Sequence, residues 1–388
     1  MYLKRTCLSA ACVVALCFMI PLGMEMYASN STRLNRLAEI SANVTVGNYN
    51  IRMNNADSSG DESASEDQVG KLTDDPLIVS RKSLWDLDMA PQETQPVIKS
   101  KKVVTAVPSK EVLDKVKYPE SIENHDGVIQ NYTYPHYVGP QYIDLKNGGQ
   151  VRNCTDVSNS TLIEQSKIEP LFKLDKNSDQ PQILIYHTHT TESFEPYARN
   201  FYDNSFASKT TDMTKNIVSV GDRICEQFDK AGIAYIHDTL VHDYPSYNDA
   251  YDSSRKTVSE ILKKYPSIKI CLDIHRDGIQ REDGTRIAPV TQIDGKQAAQ
   301  IMIISGCDDG TMGMPNYLQN FSFACKLQSQ IESDNNGLTR PVLFDYRHYN
   351  QDLTTGSLLI EVGSHGNSLD QVQYSGELIG KSLVRLFG

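Results

Sequence analysis

The sequence predicts an α/β fold: a mostly parallel sheet with helices on both faces. Three observations predict it. From residue 182 onward, short β-branched runs alternate with stretches whose apolar residues recur at helical spacing. Three of the runs, 183–186, 268–274 and 357–360, stop abruptly at His or Glu. In open α/β sheets such strand ends are where ligands gather. No internal repeat, dinucleotide fingerprint or phosphate loop points to another architecture.

The chain has 388 residues and a net charge of −11, which argues against the basic face that nucleic acid requires. Lys4 and Arg5 precede an uncharged, largely apolar stretch over 7–24, marginally long enough to cross a bilayer. Residues 1–28 therefore read as an uncleaved membrane anchor. The alternative is a signal peptide, since Met26-Tyr27-Ala28 loosely resembles a cleavage site. With the positive residues on the short side, the rest of the chain is expected outside the cytoplasm. Residues 29–105 are polar and poor in aromatics, with ADSSGDESASEDQ at 56–68. They read as a disordered spacer, because they cannot bury enough apolar surface to offset chain entropy. Residues 106–139 resist assignment and read as a linker.

The catalytic domain is expected over 140–388. A hairpin is predicted over 142–154 around Asn147-Gly148-Gly149, and a short helix over 161–166. The run 183–186 is the first core strand. Ile217, Val220, Ile224 and Phe228, followed by Gly232, predict a helix over 214–230. A strand at 233–236, a helix over 247–265 stopped by Pro266, and a strand over 268–274 follow. A strand at 300–305, a helix over 317–331 and a strand over 357–362 come next. A closing helix over 369–387 is capped by Asn367 or Ser368. Eight cysteines include three in the apolar N-terminal stretch and none in C-x-x-C spacing, so neither a disulfide framework nor a cysteine metal site is expected.

The chemistry sits at the strand ends. HTHTTE at 187–192 contains His189-Thr-Thr-Glu192, which brings an imidazole and a carboxylate to one ion if the turn curls helically. His275 follows the second run and Glu361 the last. Two His and a carboxylate, with a further carboxylate nearby, are the donor set of a hydrolytic zinc site. The expected assignment is His189, Glu192 and His275 on the metal and Glu361 as general acid/base. His187 is an alternative to His189, and Asp212 to Glu192. Asp273, two residues before His275, is expected to face the same imidazole. Arg276 is expected to bind a substrate carboxylate, with a surface pair to an Asp as its plainer role. His365 lies in the glycine-flanked loop after Glu361. His237, His242 and His348 read as structural or solvated.

Four ordered stretches, ILIYHTHTTESF, HDTLVHDYPSYNDAY, IKICLDIHRDG and YNQDLTTGSLLIEVGSHGNSLDQV, span residues 183–372. Together they resemble the stage II sporulation protein P family of spore-forming bacteria. The resemblance implies a zinc-dependent peptidoglycan hydrolase with an amidase- or exopeptidase-like fold. Its activity would be that of an N-acetylmuramoyl-L-alanine amidase, with endopeptidase activity in some members. It implies action at the engulfment septum, from a single-pass membrane anchor, with a lytic transglycosylase (stage II sporulation protein D) and a membrane partner (protein M). In the related amidases a His, a carboxylate, a second His and a late Glu form the site, an order that His189, His275 and Glu361 match. The broader amidases place the carboxylate nearer the Asp212 position. Two rival readings are a tethered, non-catalytic wall-binding module and a zinc carboxypeptidase.

Overall fold

The computed structural model describes residues 102–103 and 108–387. The anchor expected over 1–28 and nearly all of the spacer over 29–105 lie outside the described residues. Among the described residues no helix is long and apolar enough to cross a membrane.

In chain order the elements are β1 (Lys102–Val103), α1 (Lys110–Leu113), β2 (Gly127–Tyr132), β3 (Tyr142–Asp144), β4 (Gln150–Asn153), α2 (Asn159–Gln165), β5 (Ile183–Tyr186) and β6 (Phe201–Tyr202). There follow α3 (Val218–Ala231), β7 (Tyr235–His237), α4 (Ala250–Lys264), β8 (Ile270–Asp277), β9 (Arg286–Ile293), β10 (Lys296–Ala299) and β11 (Ile301–Gly306). The chain closes with α5 (Tyr317–Asp334), β12 (Val342–Asp345), β13 (Gly356–Ser364) and α6 (Leu369–Leu386).

The main sheet runs in the order β1-β7-β5-β8-β13-β11-β12-β4-β3. Strands β1, β7, β5, β8 and β13 are mutually parallel. The direction reverses at β11, which pairs antiparallel with β13 but parallel with β12. The sheet is therefore mixed, with its parallel block at the strands that end in His and Glu. Every residue of β5 is buried, as a strand covered on both faces requires.

Helices cover the two faces unevenly. Val220, Ile224 and Phe228 of α3, Phe321 and Leu327 of α5, and Val372 and Ile379 of α6 pack on Ile185, Leu272, Ile274 and Ile360. On the other face α4 alone supplies Val258 and Ile261, against Leu184, Tyr186, Ile236 and Cys271. Local signals place the helix ends. Gly232 caps α3 in the left-handed region, at φ 67°. Gln371 Oε1 accepts from the Ser368 amide at the start of α6 at 3.1 Å.

A second sheet, in the order β10-β9-β2-β6, lies outside the sequence-based expectation. Its core is Ile129, Tyr202, Ala288 and Val290. Asp294 and Gly295, both at positive φ, turn β9 into β10 in a two-residue hairpin. Residues 108–139, read from sequence as a linker, supply β2, which pairs with β9 and β6. They are part of the fold, held by non-local pairing that a short, mostly polar strand does not announce.

Candidate active site

The site forms where β5, β8 and β13 end. Asp273, His275 and Asp277 alternate along one face of β8. In the parallel ladder His275 is the register partner of Glu361, so both point to that face, which carries α4. A bulge follows between Glu361 and Ser364, at Gly363 with φ 64°. A Cβ there would meet Asn367 Oδ1 at 2.7 Å, so the turn requires glycine.

The turn after β5 is built by its threonines. The Thr188 amide and hydroxyl donate to Asp273 at 2.8 and 2.6 Å. Thr190 Oγ1 donates to Leu240 O at 2.8 Å, and Thr191 Oγ1 to Asp243 at 2.6 Å. The Glu192 amide donates to His189 O at 3.1 Å, closing one turn between the two. His189, Glu192 and His275 are thereby brought together. Glu192 Oε2 lies 3.7 Å from His275 Nδ1 and accepts from the Arg276 amide at 2.9 Å. The His189 and His275 rings stand edge to face, 5.2 Å apart. Asp273 Oδ1 lies 2.8 Å from His275 Nε2, although without the alignment of a hydrogen bond.

Among the buried side-chain atoms without a hydrogen-bond partner, His189 Nδ1, His275 Nε2 and Glu361 Oε2 belong to this cluster. Such atoms are rare unless a ligand or water meets them. Among the described residues no group of three His, Cys, Asp or Glu side chains converges closely enough to hold a metal ion as it stands. The donor types, two imidazoles and a carboxylate, are those a hydrolytic zinc takes, and His189 Nδ1 has no protein partner.

Burial sets the charges. It lowers the His189 imidazole to about 3, helped by neighbouring His275. Burial also disfavours charge on His275, but the Asp273 carboxylate overrides it and holds that imidazole at about 10. Burial and then the Asp277 carboxylate raise Glu361 to about 8, so without a cation it keeps its proton at neutral pH. Burial raises Glu192 as well, against the pull of Arg276.

The remaining sequence candidates divide clearly. His187 is fully buried, with Nδ1 3.0 Å from Ile274 O and Nε2 2.9 Å from His237 Nε2, so both ring nitrogens are engaged. Asp212 accepts from the Thr214 amide and hydroxyl at 2.9 and 2.7 Å, capping its own turn. Arg276 donates to Ser193 O and Ser208 O at 2.8 and 2.9 Å and to Asp277 O at 3.3 Å. It straps two loops together, which leaves little of its fork for a substrate. His242 pairs with buried Asp238 at 2.9 Å. His365 is buried with Nδ1 unpartnered; burial, then Arg276 and Arg286, holds it far below the usual imidazole range.

Sequence reasoning missed the aromatic wall. Tyr247 stacks on His189 at 4.2 Å and 7°. Tyr251 lies edge-on to His189 and stacks on Tyr349 at 5.3 Å. The cue was the tyrosines in PSYNDAY, Tyr251 in the first turn of α4 and Tyr247 in the turn just before it. It also missed Arg340, whose Nη1 donates to Asp277 Oδ2 at 2.9 Å. Nothing in the local sequence TRPV marks that arginine.

A family model described as stage II sporulation protein P matches residues 90–383. The chain is 30% identical over 206 residues to stage II sporulation protein P of Bacillus subtilis (strain 168). That match covers 50% of this chain and 48% of the relative, so the chain spans about half the length of the curated protein it matches. Among solved structures, the N-acetylmuramoyl-L-alanine amidase AmiC2 of Nostoc punctiforme is similar at 10% identity and TM-score 0.33, over 53% of this chain and 94% of that one. The CwlD amidase from Clostridioides difficile, in complex with the GerS lipoprotein, is similar at 14% identity and TM-score 0.32, over 52% and 94%.

Proposed function

The chain belongs to the stage II sporulation protein P family, and from that premise we propose that it is a zinc-dependent peptidoglycan hydrolase: an N-acetylmuramoyl-L-alanine amidase of the sporulation septum. The observation that carries this reading is the register pairing of His275 with Glu361, beside His189 and Glu192, with His189 Nδ1 and Glu361 Oε2 left unpartnered.

In this reading His189, Glu192 and His275 hold the cation. Zinc bound there would supply Lewis acidity, lowering the pKa of a coordinated water to about 7. Asp273, 2.8 Å from His275 Nε2, favours the charged imidazole by its negative charge and stands on the side of the ring away from Glu192. Tyr247, flat on His189, keeps that ring from turning. Glu361 takes a proton from the attacking water and returns it to the leaving alanine nitrogen, so the broken C–N bond leaves as a neutral amine. Its raised pKa suits the second of these transfers. The wall-facing location, the membrane anchor at 1–28 and partnership with a transglycosylase and a membrane protein are part of the same proposal, carried by the family resemblance.

The test is digestion of purified peptidoglycan by the full-length chain, with and without chelator, with products identified by mass. Release of intact stem peptides from lactyl-bearing glycan, abolished by chelator and restored by zinc, supports the amidase. Release of single terminal amino acids would instead make it a carboxypeptidase. Binding without products would make it a wall-binding module.

A further inference from the structure

Tyr251 stands among the site's imidazoles with a hydroxyl that the fold does not use. It lies in the first turn of α4, on the sheet face to which His275 and Glu361 point. Its ring is edge-on to His189 at 5.5 Å and parallel to His275 at 6.4 Å and 10°. Among the described residues its hydroxyl has no hydrogen-bond partner, and it is not closed off from solvent as Glu361 Oε2 is. Tyrosines packed elsewhere in the fold spend theirs: Tyr118 donates to Phe194 O and Tyr235 to Asp229, both at 3.0 Å. The Tyr251 side chain is partly exposed. Tyr247, which shares His189 with it, is 47% exposed, so the site opens to solvent on this side.

The ring is held under backbone strain. Tyr349 and Asn350 are consecutive non-glycine residues in the left-handed region, at φ 43° and 55°. Strain of this kind persists only where the surroundings fix it, and it collects at functional sites. Here it lays the Tyr349 ring against Tyr251, 5.3 Å away at 21°. It also brings Asn350 Nδ2 onto Tyr251 O at 3.0 Å and Ser254 Oγ at 3.2 Å. Ser254 Oγ lies 2.8 Å from Thr188 Oγ1, on the turn that carries His189. Tyr251 is thereby tied to that turn through both its ring and its backbone.

We propose that the Tyr251 hydroxyl donates a hydrogen bond to the substrate's lactyl carbonyl oxygen as that oxygen becomes negative. The proposal rests on the amidase reading above. Glu361 serves the attacking water and the leaving nitrogen, which leaves the carbonyl oxygen as the third group that changes charge. Tyr251 transfers no proton. As the bond from water to the carbonyl carbon forms, the π pair moves onto the oxygen and the phenol's hydrogen bond to it strengthens. On collapse the pair returns, the C–N bond breaks, and the proton from Glu361 goes to the nitrogen. A fixed neutral donor aimed where charge develops stabilises the transition state more than the ground state.

The experiment compares the full-length, zinc-loaded chain with Tyr251→Phe, which keeps the ring and loses only the hydroxyl. Removing one oxyanion donor should lower kcat roughly 10²–10³-fold, with KM, zinc content and the shape of the pH profile unchanged. The second readout is affinity, by calorimetry, for a muramyl-tripeptide phosphinate. In it a tetrahedral phosphorus replaces the scissile carbonyl carbon and a methylene replaces the alanine nitrogen. Tyr251→Phe should bind it roughly 10- to 100-fold more weakly, the range of a hydrogen bond to a charged group. Free L-alanyl-γ-D-glutamyl-L-lysine should bind both proteins alike. The ratio of the two affinities is insensitive to a fraction of misfolded protein. Wild-type kcat or wild-type phosphinate affinity in Tyr251→Phe would overturn the proposal while leaving the amidase intact. A fall accompanied by loss of zinc or of tripeptide binding would overturn it in favour of a packing role. Absence of zinc-dependent cleavage by the wild type would overturn the amidase reading and this proposal with it.

Discussion

At the scale of single residues, the ligands and the proton carrier should fail in different ways. His189→Ala removes a donor whose Nδ1 has no other partner, so bound zinc should fall and cleavage with it. Glu361→Gln is nearly isosteric. It should keep zinc close to stoichiometric while cleavage drops roughly 10²–10⁴-fold, the usual contribution of a positioned acid/base. Metal analysis by mass spectrometry beside a release assay separates the two. Loss of zinc from Glu361→Gln with retention in Glu192→Gln would show that the carboxylates have exchanged roles. The same carboxyl makes the metal-free protein sensitive to pH. Its folded pKa of about 8 lies above the ordinary carboxylate value of 4.5, so the folded state binds the extra proton. Stability is unaffected below about pH 4.5 and is lost as pH rises toward about 8. In chelator-treated samples, melting temperatures of the wild type should therefore fall relative to Glu361→Gln across that window. Parallel curves for the two proteins would contradict the assignment of a neutral Glu361.

At the scale of elements, the site depends on where β13 stops being regular. Gly363→Ala places a Cβ 2.7 Å from Asn367 Oδ1 and 2.9 Å from Ala299 Cβ, at a φ that L-residues rarely adopt. We expect a loss of about 1–3 kcal/mol from strain of this kind, together with reduced cleavage, since Glu361 lies two residues away. Gly232→Ala is the control. It carries the same positive φ at the end of α3 but has nothing within 4 Å of the added methyl. It should cost only about 1–2 kcal/mol and leave cleavage unchanged. Chemical denaturation and the release assay read both. Equal effects on cleavage would mean that the bulge does not position Glu361.

At the scale of the whole molecule, the folded unit begins before the boundary that the sequence suggests. β2 supplies Ile129, which is 3% exposed, to the core of the second sheet. Tyr118 Oη donates to Phe194 O at 3.0 Å, two residues after Glu192. The Val116 amide donates to Thr211 Oγ1 at 3.0 Å. A fragment of residues 108–388 should melt in one cooperative transition. A fragment of residues 140–388 leaves the edge of β9 unpaired and Ala288 and Val290 uncovered, so it should melt lower or aggregate. Circular dichroism melts of the two fragments check this. Identical curves would show that β2 is only an appendage.

The parallel core, and the strand ends at which His189, Glu192, His275 and Glu361 gather, could be read from local sequence. A short apolar run such as ILIY, bounded by polar residues, reads as a strand covered on both sides, and a His or Glu directly after it then sits at that strand's end. Helical periodicity at Ile217, Val220, Ile224 and Phe228 and the stop at Gly232 likewise need no partner to be read. The tertiary structure alone decided which polar groups meet. His187 and His189 look equivalent in HTHTTE, and only packing against Ile274 and His237 engages the first and leaves the second with an open nitrogen. Arg276 and Arg340 are both plausible as arginines. That one meets loop carbonyls and the other the Asp277 carboxylate depends on loops and strands far apart in sequence. The second sheet was hidden for the same reason: β2 pairs with β9 across more than 150 residues, and register between distant strands is set by contacts that no local pattern encodes.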